Sequence, residues 1–157
     1  MAENNSEKMM KQLGKALAKL EVKCEQQEDV FSIFYDDSDL PFGTFLVVPK
    51  DDRISFFSAL PFEIKAKYLQ DTLLAINAIN GILPCGRFYM DLDLKDNAVF
   101  YDQYLMCRSG SINIDDIDRM IRENIKATDT YGQMLFDVNE GKLSISDFAL
   151  RIKEGAL

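Results

Sequence analysis

The stretch GRFYMDLDLKDNAVFYDQYLM, Gly86 to Met106, decides the fold. It sets four aspartates among alternating apolar residues and is interrupted by Lys95-Asp96-Asn97. Such a stretch is either an acidic site, for a metal or for acid–base chemistry, or a β-hairpin. Asp and Asn both tolerate positive φ, so Asp96-Asn97 can form the centre of a tight turn. Pairing outward from that turn sets Leu94 opposite Val99, Leu92 opposite Tyr101, Met90 opposite Gln103 and Phe88 opposite Leu105. One face becomes almost wholly apolar, as a strand pair covering a core requires. The other face carries Arg87, Tyr89, Asp91, Asp93, Phe100, Asp102 and Tyr104.

This register places Asp91 opposite Asp102, an unfavourable pairing of like charges. A longer turn with shifted pairing, relief by Arg87, or a bound cation would each resolve it. The cation is disfavoured on ligand geometry. In a calcium-loop pattern started at Asp91, Lys95 falls on a ligand position and Asp96 on the position that needs glycine, and a continuous strand cannot wrap an ion. An acid/base pair needs one carboxylate desolvated in a cleft, which an open sheet face does not supply. The remaining acidic clusters, at Asp36-Asp37-Asp39, Asp51-Asp52 and Asp115-Asp116-Asp118, read as turns and a helix start.

Upstream lie three segments rich in β-branched and aromatic residues, Asp29–Tyr35, Phe42–Pro49 and Arg53–Leu60, separated by short polar turns. Short turns imply an antiparallel meander, because parallel strands need long crossovers. Pro61 suits the first turn of a helix, where its missing N–H is harmless. From Phe62 to Asn80 an apolar face formed by Ala66, Leu69, Leu73, Ile76 and Ile79 extends almost around that helix. A helix this apolar is contacted on more than one side. Leu69, Leu73 and Ile76 are therefore the candidates for a dimer or partner contact, against the alternative that all three belong to the core. Gly81 is the expected left-handed terminator.

Before the strands, Ser6–Val22 is an amphipathic helix, with Met9, Met10, Leu13, Ala16, Leu17 and Leu20 on one stripe and Lys8, Lys11, Lys15 and Lys19 around it. Packing on the domain is its expected role; a membrane surface or a partner groove is the alternative. After the hairpin, Asn113 caps a helix that runs to about Asn139 and stops at Gly141. Ser144 with Asp147 opens a short last helix. The expected fold class is thus α+β, a five-stranded antiparallel sheet packed against helices in the order α-β-β-β-α-β-β-α-α. One domain spans residues 1–157, with the basic helix in 1–23 and the short helix in 142–157.

Bulk composition narrows the function. The chain has 157 residues, 47% of them hydrophobic, and a net charge of −8. That charge disfavours nucleic acid, whose phosphates demand clustered Lys and Arg. There is no histidine, which removes Ser-His-Asp and Cys-His catalysis and His-ligated zinc. Cys24, Cys85 and Cys107 are scattered and read as reduced thiols in a cytoplasmic protein. No signal sequence or membrane-spanning run is evident, and no glycine-rich phosphate loop. No catalytic, cofactor-binding or metal-binding residue is expected.

The segments LLAINAINGILPCGRFYMDLDLKDNAVFYDQYLM and TDTYGQMLFDVNEGKLS resemble the YbjN family of bacterial sensory transduction regulators. The matching features are Asn77 and Asn80 at a helix end, Gly86-x-Phe88 opening a strand, Val99 and Tyr101 on its partner, and Tyr131 and Gly141 around the last long helix. The resemblance implies a type III secretion chaperone-like fold and a protein that acts by binding, without catalysis or cofactor. It implies a protein partner and a homodimer. A dedicated chaperone for a secreted substrate is the second reading. A metal- or carboxylate-dependent enzyme using Asp91, Asp93 and Asp102 is the third.

Overall fold

In the computed structural model, residues 5–50, 52–91 and 97–155 are described. Helix α1 (Asn5–Lys19) precedes a meander of β1 (Glu25–Gln27), β2 (Val30–Tyr35), β3 (Phe42–Lys50) and β4 (Arg53–Glu63). A 3-10 turn leads into α2 (Leu69–Asn80), then β5 (Arg87–Met90), β6 (Ala98–Met106), α3 (Ile114–Asn139) and α4 (Ile145–Lys153). All neighbouring strands are antiparallel, in the order β1-β2-β3-β4-β6-β5. The α+β class holds, but the sheet has six strands where five are expected. The extra strand, β1, is Glu-Gln-Gln and exposed throughout. It has no apolar alternation for a pattern to register, and is held by pairing to Val30–Ser32 of β2.

The hairpin pairs Arg87 with Asp102, Phe88 with Tyr101, Tyr89 with Phe100 and Met90 with Val99. The expected Phe88–Leu105 and Met90–Gln103 pairs are therefore displaced by four residues. Leu92, Asp93 and Leu94 lie outside the described residues. Side chains alternate with a period of two, so an even displacement keeps every described residue of the pair on its predicted face. The shift removes the Asp91–Asp102 conflict by bringing Arg87 across from Asp102, in an ion pair at 3.1 Å.

Helices cover one face of the sheet. Beneath α1, the residues Phe31, Leu46, Ile54 and Phe56 meet Met9, Leu13 and Leu17, and the first half of α3 adds Ile117, Met120 and Ile121. The lysines Lys8, Lys11, Lys15 and Lys19 are exposed on the other side of α1, so its apolar stripe is committed to this core. A second cluster joins Phe88, Val99 and Tyr101 to Ala75, Ile76 and Ile79 of α2, Leu135 and Val138 of α3, and Phe148 of α4. Between the clusters runs a buried polar seam. Thr44 Oγ1 and Ser58 Oγ each donate to Asn124 Oδ1 at 2.8 Å, and Gln103 Nε2 donates to the Met120 carbonyl at 2.6 Å.

Three side-chain amides fasten the elements. Asn80, the last residue of α2, donates to the Phe88 carbonyl at 2.9 Å and accepts from the Phe88 N–H at 2.8 Å. Asn139, ending α3, donates to the Glu63 carbonyl at 2.9 Å and accepts from Lys65 N–H at 2.8 Å. Gln12 of α1 donates to the Gly110 carbonyl at 3.2 Å and accepts from Ile112 N–H at 3.1 Å. Each amide supplies one donor and one acceptor, as a paired strand would, to backbone groups that have no ladder partner there.

Three local expectations are corrected. Pro61 lies inside β4, where the pairing with β6 is irregular between Ala59 and Glu63. No ladder N–H is needed at such a break, so the strand continues to Glu63 and α2 begins at Leu69. Gly81 has φ −72°, a right-handed value, and α2 closes by its N–H bonding Asn77 and Ala78 carbonyls at 3.2 Å. The basic helix ends at Lys19, and Glu21 turns the chain with φ 56°. By contrast, Asn113 and Ser144 cap α3 and α4 as their sequence positions suggest, and Gly141 leaves α3 with φ +70°.

Candidate interaction surfaces

The residues of alternate parity lie on the face of the sheet opposite the helices. Pairing aligns them in rows. One row is Ser32, Phe45, Phe57, Asp102 and Arg87; the next is Phe34, Gly43, Ala59, Phe100 and Tyr89. A third brings Val30, Val47, Ser55 and Tyr104 side by side. The outward side of a one-sided sheet ordinarily alternates to polar residues; here it is mainly aromatic and aliphatic. Phe45 and Phe57 stack at 5.1 Å, Tyr89 and Phe100 stack at 5.6 Å, and Phe34 meets Phe45 edge-on at 6.3 Å. Phe34 is nevertheless 54% exposed and Tyr104 48%. No helix among the described residues packs on this face.

Asp102, on β6 beside the edge strand, is the buried charged group of that face. Its carboxylate is buried, bonded by Arg87 Nε at 3.1 Å and by the Tyr104 hydroxyl at 3.3 Å. Arg87 itself stays exposed and lies over the Tyr89 ring at 5.5 Å. This set holds a charge pair flat within an aromatic surface. It does not present a free acid. Asp93, the third member of the proposed acidic site, lies outside the described residues. Among the described residues, no group of three or more His, Cys, Asp or Glu side chains is gathered as a metal site would need.

A second apolar surface is on α2. Leu69, Leu73 and Leu74 are 37%, 40% and 50% exposed, whereas Ile76 is 6% exposed and belongs to the core. Of the candidates Leu69, Leu73 and Ile76, two therefore stand at the surface, with Leu74 exposed beside them. A helical residue at 76 faces the same side as 72 and 79, which are both buried. The apolar ring that the sequence shows around α2 thus splits into a buried side and an exposed side.

The thiols are free, with Cys24 and Cys85 half-buried and Cys107 buried. Burial pushes the Cys85 thiol up, and its hydrogen bond to the Glu123 carboxylate at 3.3 Å adds to this. At neutral pH it is a protonated donor. Burial likewise holds the Tyr101 phenol well above its ordinary value. No helix among the described residues is long and apolar enough to cross a membrane.

An antiparallel sheet with helices on one face and apolar surfaces left over defines a two-layer α+β protein. The chain belongs to the YbjN family: the model of that family, "Putative bacterial sensory transduction regulator", matches residues 11–137. Among solved structures, YbjN from E. coli is 13% identical, with a TM-score of 0.65 over 85% of this chain and 93% of that one. The HopA1–SchA chaperone–effector complex gives a chain 16% identical, with a TM-score of 0.57 over 78% of this chain and 92% of that one. The ExsC–ExsE complex gives one 10% identical, with a TM-score of 0.56 over 85% and 97%. At these identities the likeness is one of fold. No curated protein matches the chain in sequence.

Proposed function

We propose that the protein is a non-enzymatic, cytoplasmic binding module that pairs with itself through α2 and takes an apolar segment of a partner protein on the open sheet face. The observation that carries this reading is the uncovered face built from Phe34, Phe45, Phe57, Tyr89 and Phe100, since contiguous exposed apolar surface on a soluble protein marks an interaction site. The α2 leucines supply a separate patch, so self-association and partner binding need not compete. Similar structures that are themselves protein complexes support the same reading.

Two measurements test it. Light scattering of the full chain should give a dimer, and Leu73→Glu with Leu74→Glu should give a monomer; a wild-type monomer would sink the self-pairing. For the sheet face, a photo-crosslinking residue placed at Phe34 is compared with one at Lys8 on α1. The crosslinked protein is then purified and titrated against wild type and Phe45→Ser. A loss of affinity of about tenfold is expected from removing one aromatic anchor. Unchanged affinity would move the site elsewhere. A partner segment that is unfolded when free would favour the second reading, a dedicated chaperone for a secreted protein.

A further inference from the structure

One concavity belongs to neither apolar surface. The loop from α2 to β5 bends over α3 and leaves a cavity of about 330 Å³. Leu83, Pro84 and Cys85 of the loop form one wall, and Tyr101 of β6 closes the floor with Ala127. The opposite wall is one face of α3, carrying Glu123, Lys126, Thr130 and Tyr131. The volume lies at the small end of the range for metabolite pockets.

Its polar groups are placed in order. At one end the Glu123 carboxylate accepts from the Cys85 thiol at 3.3 Å. Arg119, one turn earlier on α3, is paired with Asp116 at 2.9 Å; it also feels the Glu123 charge, but makes no hydrogen bond or ion pair with it among the described residues. Lys126, one turn further along α3, makes no hydrogen bond or ion pair among the described residues. Glu123 and Lys126 are thus opposite charges on one wall, about 4.5 Å apart along the helix axis, that do not meet each other. Between and beneath them the surface is apolar, from Leu83, Pro84, Ala127 and the Tyr131 ring. The floor is fixed: the Tyr101 hydroxyl lies 3.1 Å from both the Cys85 carbonyl oxygen and Gln103 Oε1.

From this arrangement we infer that the cavity binds a small zwitterion, an α-amino acid with an apolar side chain. The ammonium group seats on the Glu123 carboxylate, the ligand carboxylate takes Lys126, with Thr130 one turn beyond, and the side chain lies on the apolar floor. A simple amine would leave Lys126 unmatched and face its repulsion, and a simple acid would do the same at Glu123. Both charges of the wall are satisfied only by a ligand carrying both.

The test uses the full chain and L-leucine, compared with 3-methylbutylamine, which lacks the carboxylate, and 4-methylpentanoate, which lacks the ammonium. Calorimetry should detect leucine with a dissociation constant of about 1 mM and both analogues at least about tenfold more weakly. Glu123→Gln should weaken leucine by about tenfold or more, and Lys126→Met should do so for leucine while leaving the amine no weaker. A second readout is alkylation of the thiols followed by mass spectrometry. Leucine should slow labelling of Cys85 and leave Cys24, outside the cavity, unchanged. Absence of binding by leucine, valine, methionine and phenylalanine alike would overturn the assignment. So would binding that ignores both substitutions, or labelling slowed equally at both thiols. Lys126 is exposed, so its variant remains folded and decisive even if Glu123→Gln is unstable. Failure here leaves the partner-binding reading intact, because neither apolar surface includes these residues.

Discussion

Replacing Asn80 with alanine tests whether α2 and the sheet are joined by a side chain acting as a strand. Asn80 contributes two hydrogen bonds to Phe88, whose own side chain is 1% exposed and lies at the sheet edge. Each bond contributes about 0.5–1.5 kcal/mol net, and each backbone group left without a partner in a half-buried edge costs more than that. Alanine also raises helix propensity by about 0.6 kcal/mol, which hides part of the loss. Asn77, one turn earlier and exposed, makes no such bonds and measures that gain by itself. Relative to Asn77→Ala, Asn80→Ala should therefore destabilise the protein by about 2–3 kcal/mol. Asn80→Asp separates the two bonds. It can still accept from the Phe88 N–H but turns an acceptor toward the Phe88 carbonyl, so it should behave no better than alanine. Urea unfolding at fixed pH, with unchanged denaturant dependence, reads these values. Hydrogen exchange at the Phe88 amide should accelerate in step. If the two alanine variants agree within about 0.5 kcal/mol, the amide contributes nothing and the edge is held by core packing alone.

Gly86→Ala should cost at least about 2 kcal/mol, because at φ +72° its Cβ would run into the Tyr101 hydroxyl and lie 2.7 Å from the Asp102 carbonyl. Gly155→Ala has a similar φ of +63° with nothing within 4 Å and should cost about 1 kcal/mol; thermal midpoints compare the two. Leu13→Ala, deep under α1, should cost about 3–4 kcal/mol, against less than about 0.5 kcal/mol for exposed Lys8→Ala, read by urea unfolding. Stability should fall as pH rises past the thiol's ordinary value of 9.0, since burial first, and for Cys85 also Glu123, raises the thiols of Cys24, Cys85 and Cys107 in the fold. The unfolded chain then releases its protons first, so the loss begins near that value and continues upward. Urea midpoints measured at about pH 7 and about pH 10 check the sign, and a rise with pH would contradict it.

Most of the fold is legible because the helix and strand periods leave marks that do not depend on register. The hairpin shows this: Phe88, Met90, Val99 and Tyr101 fall on the buried face even though their partners are displaced by four residues. Parity is encoded in every residue, but register is set by turn length, and the turn reads two ways in sequence. β1 left no mark because Glu25–Gln27 is polar on both faces. Pro61 misled because the same residue suits a helix start and a break in a ladder. Asn80 appears in the family resemblance and acts through geometry, whereas Gln12 and Asn139 serve the same purpose without any local signal; their partners lie 98 and 76 residues away. The cavity was equally hidden. Glu123 and Lys126 look like an ordinary solvated helix face until Cys85 is folded over them.

The sheet's outward face is legible in a different way. A strand buried on one side alternates, while one buried on both sides reads as a near-continuous apolar run. β2 reads Val-Phe-Ser-Ile-Phe-Tyr, and β3 and β4 carry Phe45, Val47 and Phe57 between residues already committed to the core. These are the runs of a sheet covered twice, yet the described helices cover it once. The fold does not require the second set: the even-parity shift in the hairpin shows that the core face alone specifies which residues point inward. Aromatic residues left on an uncovered face lower solubility, and the Asp102 charge among them is neutralised locally by Arg87. Neither the helix-side core nor solubility accounts for that choice of residues, and this is why the proposed partner site is placed on this face.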